Sequence, residues 1–539
     1  MSARPHHRAE RGLWWGIGLV GLAALLWVAD LGHGTDPADG AWFVQVLDRV
    51  GGGDELYGEV FLGVPPLAVW LGLPFTEALG SEIAVLKALS AVAGAGIALL
   101  AAGIALRVGV ERAGAAAVAL TSLAYLLLPS GALYTSLSYL LALLALALAL
   151  AWRAGFEVNP RRARTLLVLA GVAAGLAAGA KHSEGGYATA ALMLSVVLAS
   201  PRPAAERSAR LRDGLLVLAA AATAFCVVLS PVVLAGSLDD FVRYVLGKGP
   251  FLELGSVSYL DNLDGLAALL STPGANTRAL LLHTGVLLPP VAVLALVLAA
   301  RHEPRTAIVL GLFLLAAIAG AFPRADLPHV LPAVPISALV ISWSAKRIIR
   351  QPSSRLAKLA VGVTIAGLLV VAGWTLTVAP LRSLGNDDRV SRVAPSSLVL
   401  VDPGFAALTE RVAGELAAAD RGEGRTMLLS PYAGYLYLSS GLDSPSRFDY
   451  PLASTFRAGD EAELIARIRD AEIERVCVGG LDSPGIVELR PHRLLRYVET
   501  RMHRVGSLAA MPDVAQPPAC TLYSRSRPPH AGSGASDAS

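Results

Sequence analysis

Polar side chains interrupt long apolar runs at three places in the chain, and one of these places has the composition of an anion site. Arg324, Asp326 and His329 stand within one short segment between two apolar runs. Arginine presents a planar fork of N–H donors that matches the oxygens of a phosphate group. The segment therefore predicts phosphate binding, with the alternative that Arg324 and Asp326 serve only to pair with each other.

The second place is the sequence Lys181-His182-Ser183-Glu184, which separates two apolar runs with almost no loop. We expect these side chains to lie at the rim of a helix bundle, where a substrate can reach them. A polar turn whose side chains are simply solvated explains the same pattern equally well.

The third place is the first polar segment, residues 32–82, which contains Asp36, Asp39 and Glu59 among several aromatic residues. Apolar side chains recur at helical spacing after Asp39, so we expect a helix from there to Val50. Each aspartate taken alone is more simply explained as a cap on that helix. The aromatic residues are typical of short helices that lie in the membrane interface.

The apolar runs predict a membrane protein. The chain is 54% hydrophobic and 16% charged, with a mean hydropathy of +0.56, whereas soluble domains are about 25% charged. A span needs about 20 apolar residues. About eleven runs are long enough by this measure, and they are residues 13–31, 83–106, 113–129, 132–152, 165–180, 187–200, 213–236, 279–300, 306–322, 327–345 and 357–379. No small-residue cleavage site follows the first run, so we expect it to stay as a signal anchor.

Arginine and lysine residues are concentrated in every second connection between the runs, for example at 153–164 and 346–358. Cytoplasmic loops carry such an excess, so the pattern places the N-terminal tail, residues 1–12, in the cytoplasm and the three polar places on the outer face. Loss of one weak span, such as 187–200, would invert everything after it. The net charge of +3, without a basic stripe, excludes nucleic acid as a partner.

Residues 13–380 thus form the predicted membrane domain, and residues 381–527 have the composition of a small α/β domain outside the membrane. We expect strands at 397–401, 426–430, 475–478 and 520–523, and helices at 404–419 and 460–471. This domain either caps a site structurally or grips an acceptor. Its Cys477 and Cys520 are able to pair in an oxidising compartment. The tail, residues 528–539, is rich in Pro, Gly and Ser and is predicted to be disordered.

The order of several motifs resembles the polytopic glycosyltransferases of the C-type (GT-C) fold, a family 39-like group related to protein O-mannosyltransferases and to the lipid A aminoarabinose transferase. The first polar segment matches with Asp39 and its aromatic helix, a glycine turn, Tyr57-Gly58-Glu59 and Pro65-Pro66-Leu67. Further matches are residues 175–184, residues 323–335 (PRADLPHVLPAVP) and the pair YLYL and PSRFDY in residues 435–450. Residues 62–64 (LGV) depart from the pattern, because many relatives have polar residues there.

The resemblance implies a membrane-embedded helical domain and an inverting sugar transfer from a polyprenyl-phosphate donor to a lipid, glycan or protein acceptor. The reaction would take place among membrane lipids at the outer face of a bacterial plasma membrane. Asp39 is then the expected catalytic base. The positions expected to bind substrate are Asp36, Tyr57, Glu59, Lys181, Glu184, Arg324, Asp326 and His329. Some relatives use a divalent metal ion, Mg or Mn, for which Asp39 and Glu59 are the candidate ligands, although the sequence has no His/Cys cluster of metal-ligand spacing.

Two other classes of function stay open at this point. A transporter or flippase with an outer sensing domain would carry ionisable residues in the middle of its spans, where Lys87 is the main candidate. A non-catalytic assembly protein of the cell envelope would use the outer acids only as helix caps.

Overall fold

The computed structural model describes residues 6–27, 32, 34, 36–126, 133–203, 205–247, 257–271, 277–322, 324–349, 389–392, 394–420, 425–479, 481, 490–508 and 520–525. Within these ranges the chain forms a bundle of apolar helices and a smaller α/β domain. The predicted span 357–379 and the predicted disordered tail, residues 528–539, lie outside the described residues.

The described secondary-structure elements between His6 and Ile349 are all helices. Its helices are α1 (His6–Leu26), α2 (Asp39–Gly51), α3 (Leu67–Leu79), α4 (Ile83–Arg107), α5 (Arg112–Leu126), α6 (Leu133–Gly155), α7 (Pro160–Ala180), α8 (His182–Leu198), α9 (Arg207–Ala235), α10 (Leu238–Phe241), α11 (Tyr259–Ser271), α12 (Thr277–Thr284), α13 (Leu288–Ala299), α14 (Pro304–Gly320), α15 (Leu327–Val330) and α16 (Val334–Ile349). One turn of π-helix, Val242–Leu246, continues α10.

Ten of the eleven predicted spans overlap these helices. Six stretches of the described chain are long and apolar enough to cross a membrane: Ile83–Arg107, Leu133–Gly155, Pro160–Ala180, Arg207–Ala235, Leu282–Ala299 and Leu327–Ile348. The membrane-protein fold is therefore confirmed, while the count of eleven spans stays a prediction. Helix α1 begins at His6, inside the segment that the sequence predicts as a tail.

The predicted helices of the first polar segment, residues 32–82, are present. Helix α2 begins at Asp39, as its apolar spacing predicts, and its residues 40–47 are buried. Helix α3 exposes Leu71, Phe75 and Leu79 on one side, which is typical of a helix lying in the membrane interface.

The described elements of the C-terminal domain are β1 (Arg389–Val390), β2 (Leu400–Val401), α17 (Pro403–Asp420), β3 (Thr426–Leu429), α18 (Ala433–Ser440), α19 (Asp460–Arg469), β4 (Arg475–Val478), α20 (His492–Arg501), β5 (His503–Leu508) and β6 (Cys520–Ser524). They form a four-stranded sheet in the order β3-β4-β6-β5 and a separate β1–β2 pair. Strands β3 and β4 are parallel, and the other neighbours are antiparallel. Cys477 and Cys520 form a disulfide bond between β4 and β6.

The sequence predicted this domain incompletely. The expected strand at 397–401 is reduced to Leu400–Val401, and β5, α18 and α20 were not predicted. Strand β5 lies at the edge of the sheet and is mostly exposed. It therefore lacks the alternation of buried and exposed positions that marks a half-buried strand.

The C-terminal domain and helix α2 share one apolar core. Trp42 and Phe43 of α2 belong to the same buried cluster as Met427, Val476 and Val498 of the domain. Helix α18 approaches α2 so closely that a Cβ atom at Gly434 would lie 2.7 Å from the Cα atom of Trp42. A glycine is required at this contact, because the neighbouring atoms belong to the backbone of α2 and cannot rotate away.

Gly434→Ala is expected to destabilise the protein by about 1–3 kcal/mol, because the added methyl group forces α18 away from α2. Thermal unfolding in detergent and the rate of proteolysis of the C-terminal domain measure the effect. Gly414→Ala in α17 is the matched control, since no atom lies within 4 Å of a Cβ there. Equal stability of the Gly434 variant and the wild type would contradict the close contact between α18 and α2.

Candidate functional site

The two aspartates that precede and begin α2 have different roles. Asp36 Oδ1 accepts the N–H of Ala38 at 3.2 Å, and its carboxylate also faces the N–H groups of Asp39 and Gly40. Asp36 therefore caps the start of α2. Asp39 is exposed at the first residue of the helix, so its carboxylate is left for another use.

Gly40 explains how the two acids come so close. A Cβ atom at this position would lie 2.9 Å from the Cβ atom of Asp36. Burial, followed by the nearby charge of Asp39, raises the pKa of Asp36 to about 6, although hydrogen bonds from the backbone act in the opposite direction.

The C-terminal domain brings two tyrosines to these acids. The hydroxyl of Tyr450 is within hydrogen-bonding reach of the Asp39 carboxylate, and burial together with that charge raises the pKa of Tyr450. Tyr432 lies within electrostatic range of Asp36. Neither tyrosine was predicted as a site residue, although Tyr450 ends the PSRFDY motif in which the family resemblance had appeared.

Lys181 and Glu184 form a buried ion pair at the corner between α7 and α8. Lys181 Nζ lies 2.5 Å from Glu184 Oε1 and 3.3 Å from Thr135 Oγ1 of α6. The two charged side chains are only 11% and 4% exposed. The alternative of a solvated polar turn is therefore wrong for this pair.

Glycine makes this corner possible. Lys181 has an extended backbone between the two helices, and α8 folds back directly onto α7. A Cβ atom at Gly185 would lie 1.9 Å from the backbone nitrogen of Ala178, so a larger side chain cannot occupy this position. The turn holds both members of the ion pair at the end of the bundle.

Asp326 organises the segment before α15. Its two carboxylate oxygens lie 2.5 Å from Arg324 Nε and 2.5 Å from His329 Nδ1. Burial alone would raise the pKa of Asp326, but hydrogen bonding and charge from His329 and Arg324 lower it below its ordinary value.

Arg324 keeps part of its hydrogen-bonding capacity. It pairs with Asp326 through Nε, and its terminal guanidinium nitrogens have no hydrogen-bond partner within the described ranges. Its segment is fixed by a backbone bridge to Val257 and by a hydrogen bond from Asn262 to the Ala325 carbonyl. The predicted pairing with Asp326 exists, yet it leaves Arg324 able to bind an anion.

The three polar places of the sequence meet around Tyr134, near the start of α6. Its phenol lies within electrostatic range of four of the predicted site residues, which are Asp36, Asp39, Glu184 and Arg324. Its ring also contacts Phe43 of α2 at a centroid distance of 5.9 Å. Sequence reasoning missed Tyr134, because it is an uncharged residue at the edge of an apolar run.

Tyr57 lies elsewhere, and its substrate-binding role stays a prediction without support from its position. It is completely buried, and its hydroxyl donates to the Val64 carbonyl at 2.7 Å. Its backbone carbonyl accepts a hydrogen bond from Arg447, and Phe61 N–H donates to the Arg447 carbonyl at 2.7 Å. The Tyr57 motif therefore holds the C-terminal domain.

Glu59 belongs to the same docking region. Its carboxylate accepts the N–H of Glu55 at 2.8 Å, and its carbonyl accepts from Arg49 at the end of α2. Asp39 begins that helix, and the ten residues to Arg49 span about 15 Å. Asp39 and Glu59 therefore do not form a common metal site, and the described residues contain no group of three or more His, Cys, Asp or Glu side chains that could hold a metal ion.

Solved structures with a similar fold include ArnT from Cupriavidus metallidurans bound to undecaprenyl phosphate, with a TM-score of 0.58, 14% identity, and coverage of 95% of this chain and 98% of that chain. The same ArnT in the apo state gives a TM-score of 0.54 at 14% identity, with 96% and 98% coverage. The chain has the GT-C fold. This result confirms the fold class expected from the motifs.

The arabinofuranosyltransferase AftD from Mycobacteria shares the GT-C fold, with a TM-score of 0.50, 16% identity, and coverage of 95% of this chain and 40% of that chain. No family model and no curated protein matches the sequence. At such low identities the similarity to these structures establishes the GT-C fold alone and does not establish the reaction.

Asp36→Asn is expected to change how stability depends on pH. Asp36 has an ordinary pKa of 3.8 and a pKa of about 6 in the folded protein, so the folded state binds the proton more tightly. The stability of the wild type therefore falls as pH rises from about 4 to about 6 and stays at the lower level above that range. Asparagine keeps a capping oxygen without this dependence.

The Asp36 variant should thus exceed the wild type in stability at about pH 7 by at most about 3 kcal/mol, with no difference below about pH 4. Thermal unfolding in detergent across this pH range measures the difference in stability between the two proteins. Asp48→Asn, an exposed acid at the other end of α2, is the control. A difference that is the same at every pH would show that Asp36 is not protonated in the folded protein.

Proposed function

We propose that this protein is a membrane glycosyltransferase that moves a sugar from a polyprenyl-phosphate donor to an acceptor hydroxyl. The observation that carries the proposal is that Asp39, Arg324 and Glu184 all lie within electrostatic range of Tyr134, with Lys181 paired to Glu184, in a chain with the GT-C fold. One solved structure of that fold contains undecaprenyl phosphate. An acid and two cations grouped around one residue of an apolar bundle suit a donor whose lipid lies in the bilayer.

Each group has a distinct task in this reaction. Arg324 receives the phosphate of the donor with its terminal nitrogens, and Lys181 adds a second positive charge. The acceptor oxygen attacks the anomeric carbon as its bond to phosphate breaks, and Asp39 takes the proton from the acceptor hydroxyl. The products are the glycosylated acceptor and the lipid phosphate, with inversion at the anomeric carbon.

Two of the predicted substrate-binding residues, Asp326 and Glu184, orient the cationic side chains of this arrangement. Asp326 orients Arg324 and His329, and Glu184 orients Lys181. Such pairing fixes a long cationic side chain before the substrate arrives, which lowers the entropy cost of binding.

A small apolar cavity next to the buried ion pair has room for only a short part of the lipid chain of the donor. Glu184 and Tyr139 line it together with Leu143, Phe313 and Ile336, so it begins beside the buried ion pair and extends among apolar side chains. A polyprenyl chain is a hydrocarbon, and burial of its surface among such side chains is favourable.

We place the site at the outer face of a bacterial plasma membrane, with the N-terminus in the cytoplasm. The arginine-rich connections lie at the end of the helices opposite to Asp39 and Lys181 in this arrangement, in agreement with the positive-inside rule. The disulfide bond between Cys477 and Cys520 fits an oxidising compartment.

The proposed reaction includes no metal ion held jointly by Asp39 and Glu59, because these residues are anchored at opposite ends of α2. The transporter alternative also loses support. Lys87 of α4 was the main candidate for an ionisable residue in the middle of a span. It donates to the Gly34 carbonyl at 2.7 Å and so connects α4 to the first polar segment.

Asp39→Asn is expected to reduce transfer at least about a hundredfold, because general-base catalysis contributes about 10²–10⁴ in rate. Release of polyprenyl phosphate from a pool of polyprenyl-phosphate sugars, followed by mass spectrometry, measures it. Asp48→Asn, the same exchange at the other end of α2, should keep wild-type activity. An active Asp39 variant would remove the catalytic assignment.

Arg324→Lys is expected to weaken the binding of undecaprenyl phosphate about tenfold, since lysine keeps the charge but lacks the planar fork. Binding to the purified protein in detergent measures this change. Arg469→Lys, on the exposed surface of the C-terminal domain, should bind as the wild type does. Equal affinities of all three proteins would exclude Arg324 from the phosphate site.

A further inference from the structure

We infer that a groove between α4 and α6 binds an anionic membrane lipid, with the lipid phosphate at Arg107 and an acyl chain along the groove. The groove has a volume of about 440 Å³, within the range of roughly 300–1,000 Å³ that ligand sites occupy. It is separate from the proposed active site. Ala147 of the groove lies about 18 Å along α6 from Thr135, the residue that contacts Lys181 at the other end of that helix.

The walls of the groove are apolar and open to the surface of the bundle. Leu100 and Ile104 line it from α4, and Leu140 and Ala147 line it from α6. Ile104 is buried and the other three are half-buried, so the groove is a depression in the surface rather than an enclosed cavity. The solvent at this depth of a membrane is hydrocarbon, and a lipid chain fills such a depression through van der Waals contact.

The length of the groove matches one leaflet of a bilayer. Helices α4 and α6 touch at its closed end, where a Cβ atom at Gly96 would lie 3.1 Å from Leu140 Cδ1. From this contact α4 rises about 16 Å to Arg107. The hydrocarbon core of a bilayer is about 30 Å thick, so a lipid whose head group lies at Arg107 has its chain beside the apolar walls.

Arg107 supplies charge complementarity at the open end of the groove. It stands in the last turn of α4 and is exposed, and it has no hydrogen bond or ion pair with any residue that the structure describes. Its guanidinium group presents a planar fork that matches phosphate oxygens. Basic pockets between membrane-spanning helices bind acidic lipid head groups in this way.

The turn that follows α4 is fixed by two basic residues of α16. Lys346 donates to the Gly109 carbonyl, and Arg347 donates to the Val108 carbonyl at 3.4 Å. Arg347 also pairs with Glu303, so its charge is already compensated. These contacts hold the end of α4 in place before a lipid arrives, which lowers the entropy cost of binding at the arginine beside the turn.

Phosphatidylglycerol with a photoreactive acyl chain tests the site on the full-length protein in detergent, with phosphatidylcholine of the same chain as the probe without net charge. Mass spectrometry should locate the label on α4 and α6 between Gly96 and Ala147. Phosphatidylglycerol should label this site about fivefold more strongly, as expected for one arginine near an anionic head group.

Arg107→Gln should remove the preference for phosphatidylglycerol, because the amide carries no charge. Arg164→Gln is the matched control and should keep the preference, since Arg164 is an exposed arginine near the start of α7, at the same end of the bundle. Ala147→Phe fills the groove and should reduce labelling by both lipids. Binding of undecaprenyl phosphate should stay unchanged in all three variants, because none of them alters a residue of the proposed active site.

Two results would overturn the inference. Equal labelling by the two lipids in the wild type, or label spread evenly over the outward faces of the helices, would show only the lipid that surrounds any membrane protein. Cross-links from the groove to a second copy of the chain, or to another segment of the same chain, would identify a different occupant. Neither result depends on whether the Asp39→Asn variant is active, so this inference and the proposed function fail separately.

Discussion

The ion pair between Arg49 and Asp449 joins the two parts of the molecule that the site requires. Arg49 stands in the last turn of α2 and also donates to the Ser446 carbonyl at 2.8 Å. Removing Arg49 would leave the Asp449 carboxylate buried without its partner cation, which is costly, although such a pair contributes little net stability compared with apolar residues. Arg49 itself also pairs with Asp54 at 2.7 Å. We therefore interpret the Arg49–Asp449 pair as a determinant of specificity, because it sets where the segment that ends at Tyr450 lies along α2.

Close contacts between helices place the cationic side of the site. On α7, a Cβ atom at Gly175 would lie 2.1 Å from the carbonyl oxygen of Ala221 in α9, and Gly185 makes the equivalent contact between α8 and α7. In a membrane, helices associate through such close packing of small residues. The result is a rigid corner, so Lys181 and Glu184 stay at the rim of the bundle even though each is a charged residue in a largely apolar environment.

The motifs that resemble the glycosyltransferase family divide into two groups in the folded chain. Asp39, Glu184 and Arg324 lie within electrostatic range of Tyr134, and Lys181 pairs with Glu184. Tyr57 and Glu59 instead bind the backbone and side chains that dock the C-terminal domain. The second group fixes the position of the domain that packs on α2, next to the residues of the first group.

The sequence by itself determined the apolar spans, the start of α2 at Asp39, strand β4 and the residues of the three polar places. These features follow from hydrophobic periodicity and local composition, which act over a few helical turns or one strand. Edge strand β5 was not predicted, because it is mostly exposed and lacks the alternation of buried and exposed residues that marks a half-buried strand. Only the tertiary structure decided that the Asp36 carboxylate binds the backbone at the start of α2 while Asp39 stays exposed. It also decided that Tyr134 and Tyr450 lie near these two acids, and that Glu59 lies at the other end of α2. Those assignments depend on contacts between segments far apart in the chain, and no local pattern encodes which of them will meet.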